Sequence, residues 1–172
     1  MNKTQAHITG SVISSNSAEA QSLHKKSRFG EKVGDKIQYT LSEAMFLLEK
    51  EKIEIFSGKK KLTEKELMNK LQKIDKRFQT RYPVFKNLRE KGYIVKTALK
   101  FGADFRVYEK GKQPGKAHAK WIVFADHESK RTTWHEFSAK NRVAHSTKKN
   151  LLLAIVDDES DITYYEVMWV RP

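Results

Sequence analysis

Apolar positions recur with two different periods along this chain, and each period predicts its own set of elements. Near the N-terminus, His7–Ser14 reads His-Ile-Thr-Gly-Ser-Val-Ile-Ser, a β-branched run that predicts one short strand. Residues 15–35 are rich in Ser, Lys and Gly without a sustained apolar period, which predicts loops or weak strands. Thr40 then stands three residues before Glu43, a capping box in which hydroxyl and carboxylate each satisfy a backbone N–H at a helix start. Leu41, Ala44, Met45 and Leu48 follow at helical spacing. Lys52–Phe56 alternates apolar with polar and predicts a strand, closed by the basic turn Ser57–Lys61. Thr63 and Glu66 form a second capping box, opening a helix with apolar positions at Leu67, Leu71, Ile74 and Phe78. Pro83 lacks an N–H and disfavours helix before it, which predicts a break or kink near Arg81–Tyr82. A further helix is expected from about Pro83 to Lys91, with Val84, Phe85 and Leu88 on one face, stopped by Gly92.

From Tyr93 onward the period shortens to that of strands. Tyr93–Thr97, Asp104–Tyr108, Trp121–Ala125 and Thr133–Phe137 are short β-branched and aromatic runs separated by turn residues. Ser138 is a candidate N-cap for a short helix reaching about Lys148, and Leu151–Val156 and Ile162–Val170 complete the strands. The expected fold class is α+β: a small α/β N-terminal domain over residues 1–80 and a mixed-sheet α/β C-terminal domain over 81–172. There is no internal repeat.

Composition narrows the partners. Hydrophobic residues at 38% suffice for a core, while a formal net charge of +13 points to a polyanion. No apolar run approaches the roughly 20 residues of a bilayer span, and Met1–Gly10 has no apolar core of a secretory signal. With no cysteine there is neither a disulfide nor a thiolate zinc site. The expectation is a cytoplasmic protein that binds nucleic acid and no membrane.

Tyr, His and Lys residues in the C-terminal half give that expectation a chemistry. RNA carries its own nucleophile, the 2′-hydroxyl beside each phosphate. Cleavage through it needs a base for that proton, an acid for the leaving 5′-oxygen and a cation for the more negative transition state. Tyr108, His118 and the pair Lys148–Lys149 can supply all three without a cofactor. A phenol is an awkward base, its ordinary pKa being near 10; cations close by, such as Arg106 and Lys110 in this sequence, favour the phenolate form.

The stretch Phe101-Gly102-Ala103-Asp104-Phe105-Arg106-Val107-Tyr108, then His118, then Val143-Ala144-His145-Ser146-Thr147-Lys148-Lys149 resembles the archaeal tRNA-splicing endonucleases, or tRNA-intron lyases. Arg89–Thr97 is similar to the same family's approach to its catalytic domain, and the likeness covers about Tyr82 to Pro172. The resemblance implies a nuclease-like C-terminal domain, with Tyr108 as general base, His118 as general acid and Lys149 as transition-state cation. It also implies metal-independent cleavage of precursor tRNA at a bulge-helix-bulge, leaving a 2′,3′-cyclic phosphate and a 5′-hydroxyl. Arg142 matches a family position whose guanidinium stacks on a bulged base, with Tyr164 as candidate aromatic partner.

Lys148 sits beside the matching position, so both lysines stay in view. Arg142, His145 and Lys149 fall at i, i+3 and i+7, one face of a continuous helix, with Lys148 rotated about 100° away, which favours Lys149. His118 closes the segment Gly111–Ala117, rich in Gly, Pro and Lys, which suits close approach to a phosphate. Asp104 is expected to accept hydrogen bonds at a strand start; Asp126, Glu128 and Glu136 show no metal-ligand spacing.

Acidic residues cluster at Asp157–Asp161, a solvated hairpin turn on composition. By the resemblance it is a loop that enters a basic cleft of a neighbouring subunit, for which Lys59–Lys61 or Lys140–Arg142 are candidates. The final strand is apolar on both faces, which fits burial across a dimer. A tetramer is expected, either of this chain alone or with a related structural subunit. Two further function classes stand beside the leading one: a catalytically silent RNA-binding or scaffolding subunit, and a metal-dependent DNA nuclease.

Overall fold

The computed structural model describes residues 3–172; Met1 and Asn2, the start of the expected N-terminal domain, lie outside them. The chain divides into two compact units between Phe78 and Gln79. The elements of the first are β1 (Thr4–Thr9), β2 (Val12–Ser15), α1 (Ala18–Ser27), β3 (Glu31–Val33), β4 (Lys36–Tyr39), α2 (Leu41–Glu49), β5 (Ile53–Ser57), β6 (Lys60–Lys61) and α3 (Glu64–Ile74). Its sheet runs β3-β4-β2-β1-β5-β6, with β1 parallel to β5 and antiparallel to β2. Ala6, Ile8, Ile13, Ile37, Ile53 and Ile55 of the sheet are buried, as are Leu47 of α2 and Leu67 and Leu71 of α3.

Two expectations for this unit need correcting. His7–Ser14 is not one strand but the two arms of a hairpin, turning at Gly10-Ser11 between paired Thr9 and Val12. Gly10 supplies the positive φ (60°) that a two-residue hairpin turn requires at its first position. Residues 15–35 hold a helix, α1, capped by Ser17, whose hydroxyl accepts from the Ala20 N–H at 3.1 Å. Ala20 is the one buried residue of α1, so the helix has almost no apolar stripe to read. The boxes at Thr40/Glu43 and Thr63/Glu66 form as expected. Glu43 does more than cap: 2% exposed, it also accepts from the Gly30 N–H at 3.0 Å.

The second unit contains most of α4 (Phe78–Glu90), then β7 (Ile94–Thr97), a 3₁₀ turn (Leu99–Phe101), β8 (Phe105–Tyr108), β9 (Trp121–His127), α5 (Trp134–Ser146), β10 (Asn150–Val156) and β11 (Ile162–Val167). Its sheet runs β11-β10-β9-β8-β7, with β9 and β10 parallel and every other pair antiparallel. Ala144 of α5 packs with Ile122 and Leu151 of the sheet and with Ala98 and Ala103.

Here too the structure differs from expectation. The chain breaks after α3, where Asp75 is extended (φ −123°, ψ 107°), and of the break or kink expected near Arg81–Tyr82 the break is absent, α4 running through it. Pro83 lies inside α4, where it forfeits one backbone bond while Tyr82, Val84, Phe85 and Leu88 are all buried. Thr133–Phe137 is no strand: Thr133 caps α5 through a third capping box with Glu136, overriding the β propensity of the run and displacing Ser138 as cap. The helix also ends at Ser146, short of Lys148. β11 stops at Val167, and within the chain it is an edge strand with Tyr165 56% exposed and Met168, Trp169 and Val170 exposed beyond it.

Candidate active site

Asp104 anchors the start of β8. Its carboxylate accepts from Arg81 Nε at 2.7 Å and from the Ala125 N–H at 2.8 Å, and its own N–H donates to the Val123 carbonyl at 3.1 Å. The bonds to Val123 and Ala125 hold the start of β8 against β9, and the one to Arg81 ties it to α4, as the sequence leads to expect of an acidic residue at that place. Four residues on, Tyr108 ends the strand opposite Ile94. Tyr108 is 5% exposed, its ring packed in. Among the described residues its hydroxyl has no hydrogen-bond partner and is not one of the buried unpartnered atoms.

The register then relates Tyr108 to Lys149. β8 pairs with β9 as Val107↔Trp121, and β9 with β10 as Asn150↔Trp121. One step outward, the Lys120 N–H donates to the Val107 carbonyl at 2.9 Å and the Asn150 N–H to the Lys120 carbonyl at 2.9 Å. Tyr108, Lys120 and Lys149 therefore occupy one transverse row, the outer two about 10 Å apart along the backbone. His118 stands two residues before Lys120, exposed, with buried Ala119 between them. Its loop is tightened by turns in which Lys112 N–H bonds to Glu109 O and Ala117 N–H to Gln113 O. Sequence reasoning missed Lys120, which pairs with Glu109 at 3.2 Å and lies 4.6 Å over the Trp121 ring. It also missed Glu166, which accepts from Trp121 Nε1 at 2.9 Å and Asn150 Nδ2 at 2.7 Å and so ties the first residues of β9 and β10 to β11. Neither shows a local pattern, since both act across strands.

The choice between the lysines follows from how α5 ends. Thr147 is the C-cap, Lys148 is left-handed (φ 55°) and donates its N–H to His145 O at 3.0 Å, and Lys149 donates its N–H to Ala144 O at 2.9 Å. This is a Schellman motif with lysine where glycine is usual. Lys149 is thus not on the helix, and the helical-face argument that favoured it does not apply. The motif instead sends exposed Lys148 outward and delivers half-buried Lys149 to the row of Tyr108. Lys149 Nζ donates to the Thr147 carbonyl at 2.7 Å. Burial, and then the charge of Arg106, push its ammonium below the ordinary lysine range.

Arg142 is exposed near the end of α5. The structure does not bring Tyr164 to it: the Tyr164 hydroxyl donates to Asn87 Oδ1 at 3.0 Å and Lys91 Nζ lies 5.1 Å from its ring centre. Burial raises the Tyr164 phenol well above its ordinary range. The His145 ring centre sits 4.7 Å from that of Trp169. The acidic loop Asp157–Asp161 forms the β10–β11 turn, with Asp157 accepting from the Glu159 and Asp161 N–H groups. Lys60, Lys61 and Lys140, offered as cleft cations, are paired with Glu66, Glu54 and Asp126 in this chain.

Fold and site together define a strongly basic two-unit α+β protein that presents a phenol, an imidazole and an ammonium on one end of a five-stranded sheet. Comparison with known proteins identifies the group. A model of the tRNA intron endonuclease N-terminal domain matches residues 7–68, and one of the tRNA intron endonuclease catalytic C-terminal domain matches residues 78–164. A protein of Thermococcus gammatolerans called tRNA-splicing endonuclease is 43% identical over 160 residues, covering 93% of this chain and 94% of its own. One of the same name from Nanoarchaeum equitans is 44% identical over 151 residues, covering 84% of this chain and 97% of its own. This chain belongs to the tRNA intron endonuclease family. Among the described residues, no helix is long and apolar enough to cross a membrane.

Proposed function

We propose that this protein is a tRNA-splicing endonuclease that excises introns from precursor tRNA in the cytoplasm, cutting at bulge-helix-bulge junctions by attack of the 2′-hydroxyl. The observation that carries the reading is the row Tyr108–Lys120–Lys149 with exposed His118 beside it, in a chain of this family. Tyr108 takes the proton of the 2′-hydroxyl as that oxygen bonds to phosphorus. His118 gives its proton to the 5′-oxygen as the P–O5′ bond breaks. Lys149 faces the non-bridging oxygens, where negative charge accumulates. The products are a 2′,3′-cyclic phosphate and a 5′-hydroxyl, with Tyr108 left protonated and His118 deprotonated, the reverse of their starting states. No step uses a metal ion or cofactor. The Tyr108 hydroxyl, without a hydrogen-bond partner among the described residues, is available to accept.

Arg142, exposed and without an ion pair among the described residues, is the substrate-binding guanidinium that stacks on a bulged base. Binding otherwise rests on phosphate contacts and RNA shape, which a net charge of +13 favours. Residues 81–172 form the catalytic domain and 1–80 the N-terminal domain of a tetramer, of this chain alone or with a related subunit. The exposed apolar edge at Tyr165, Met168 and Trp169 supports association. The test is product-end analysis of a bulge-containing RNA cleaved in EDTA. Tyr108→Phe, His118→Ala and Lys149→Ala are expected to retain RNA binding and to lose about 10²–10⁴-fold in cleavage each. Full activity of all three removes the assignment.

A further inference from the structure

Arg106 is a half-buried cation with no carboxylate paired to it among the described residues. It lies in β8 two residues before Tyr108, hence on the same face of the strand and about 7 Å along it. Across the row it lies between buried Lys96 of β7 on one side and fully buried, apolar Ile122 and Leu151 on the other. Its Nε is buried without a hydrogen-bond partner, and among the described residues its guanidinium has no ion pair. Lys149 lies two residues before Leu151 on β10, so its backbone is about 12 Å from that of Arg106 across two strand spacings. Two long side chains span that gap, and the charge of Arg106 is felt at Lys149.

An unpaired guanidinium beside an ammonium on one sheet face is unfavourable for folding: desolvation and like-charge repulsion act together. Lysine–carboxylate pairs of this unit lie elsewhere: Lys120 with Glu109, and Lys130 and Lys140 with Asp126. Such a pair is compensated only when an anion arrives between the two cations. The guanidinium fork suits two oxygens of one phosphate, and the ammonium supplies a point charge.

We propose that Arg106 is a further substrate-binding residue, which with Lys149 forms a two-cation cradle for the non-bridging oxygens of the scissile RNA phosphate. The inference rests on the function proposed above and gives Arg106, which the sequence offered only as a cation favouring the Tyr108 phenolate, a direct contact with the phosphate. The cradle binds the dianionic transition state more tightly than the monoanionic diester, so removing Arg106 lowers kcat more than it raises KM.

The test uses the full chain with Arg106→Met and Arg106→Lys, on bulge-containing RNA carrying a single phosphorothioate at the cleavage site in each stereochemistry. Arg106→Met is expected to lose about 10²-fold in kcat and to lose the thio effect at one of the two non-bridging oxygens, while Arg106→Lys recovers part of the rate. Because the unbalanced cation is gone, the urea midpoint of Arg106→Met is expected to rise. A kcat within threefold of the parent, with Lys149→Ala inactive, overturns the cradle and leaves the proposed function standing. A lowered midpoint with an unchanged thio effect overturns it as well, since the role is then structural. If Tyr108→Phe and Lys149→Ala also cleave normally, the proposed function and the cradle fall together.

Discussion

Replacing Asp104 by Asn tests what holds β8, and with it Tyr108, in register. The carboxylate is 2% exposed as a side chain and its donors include Arg81 Nε at 2.7 Å and the Ala125 N–H at 2.8 Å. Asparagine has nearly the same shape but one acceptor oxygen and an NH₂, so one of the two donors must face another donor. Removing one member of a buried ion pair costs about 3–5 kcal/mol. Arg81 remains 25% exposed and partly rehydrates, and one hydrogen bond survives. The expected loss is therefore about 2–3 kcal/mol. In a chain of 172 residues that lowers the melting temperature by about 4–12 °C. Trp121, Trp134 and Trp169 are the only tryptophans and all lie in the second unit, so urea unfolding followed by tryptophan fluorescence reports on the affected part. Asp104→Ala is expected to lose more, because both acceptors go. A loss below 1 kcal/mol for Asp104→Asn refutes the view that these bonds clamp β8 to β9.

Lys148→Gly relieves a left-handed lysine, worth about 1–2 kcal/mol, against about 0.4–1 kcal/mol of added unfolded-chain entropy. It should stabilise by about 0.5–1 kcal/mol in a urea titration and leave cleavage unchanged; lost cleavage would transfer the cationic role to Lys148. Asp126 is buried, which raises its carboxyl, but hydrogen bonds and charges from Lys130 and Lys140 outweigh this and hold it below the ordinary range. Its stabilisation is thus complete above the ordinary carboxylate pKa near 3.9 and fades as pH falls through the lower folded value. Asp126→Asn should cost about 2 kcal/mol from pH 5 to 8, with the difference from the parent shrinking below about pH 4; a difference that grows in acid contradicts the assignment. Gly30→Ala places a Cβ 2.4 Å from Ile37 Cγ2 at a φ of +71°. It should destabilise the first unit by about 2–4 kcal/mol, seen as faster amide exchange in β3 and β4; unchanged exchange there would show that the site yields freely.

What was legible along the chain was whatever local chemistry enforces. Thr40/Glu43 and Thr63/Glu66 open their helices because a hydroxyl and a carboxylate three residues apart satisfy backbone donors with no help from afar. The strands at Ile94–Thr97, Phe105–Tyr108 and Asn150–Val156 follow from β-branched runs between turns, and the order Tyr108, His118, Lys149 was readable as a motif. Misreadings arose where distant packing outweighs local preference. Pro83 sits within a helix because the apolar residues around it are buried by the rest of the unit, and α1 is helical while burying one alanine. The proximity of Tyr108 to Lys149, 41 positions apart, was of that second kind. It depends on parallel pairing of β9 with β10 and on a left-handed residue ending α5. Neither leaves a trace in neighbouring residues, because hydrogen bonds between strands are specified by shape and burial across the whole unit.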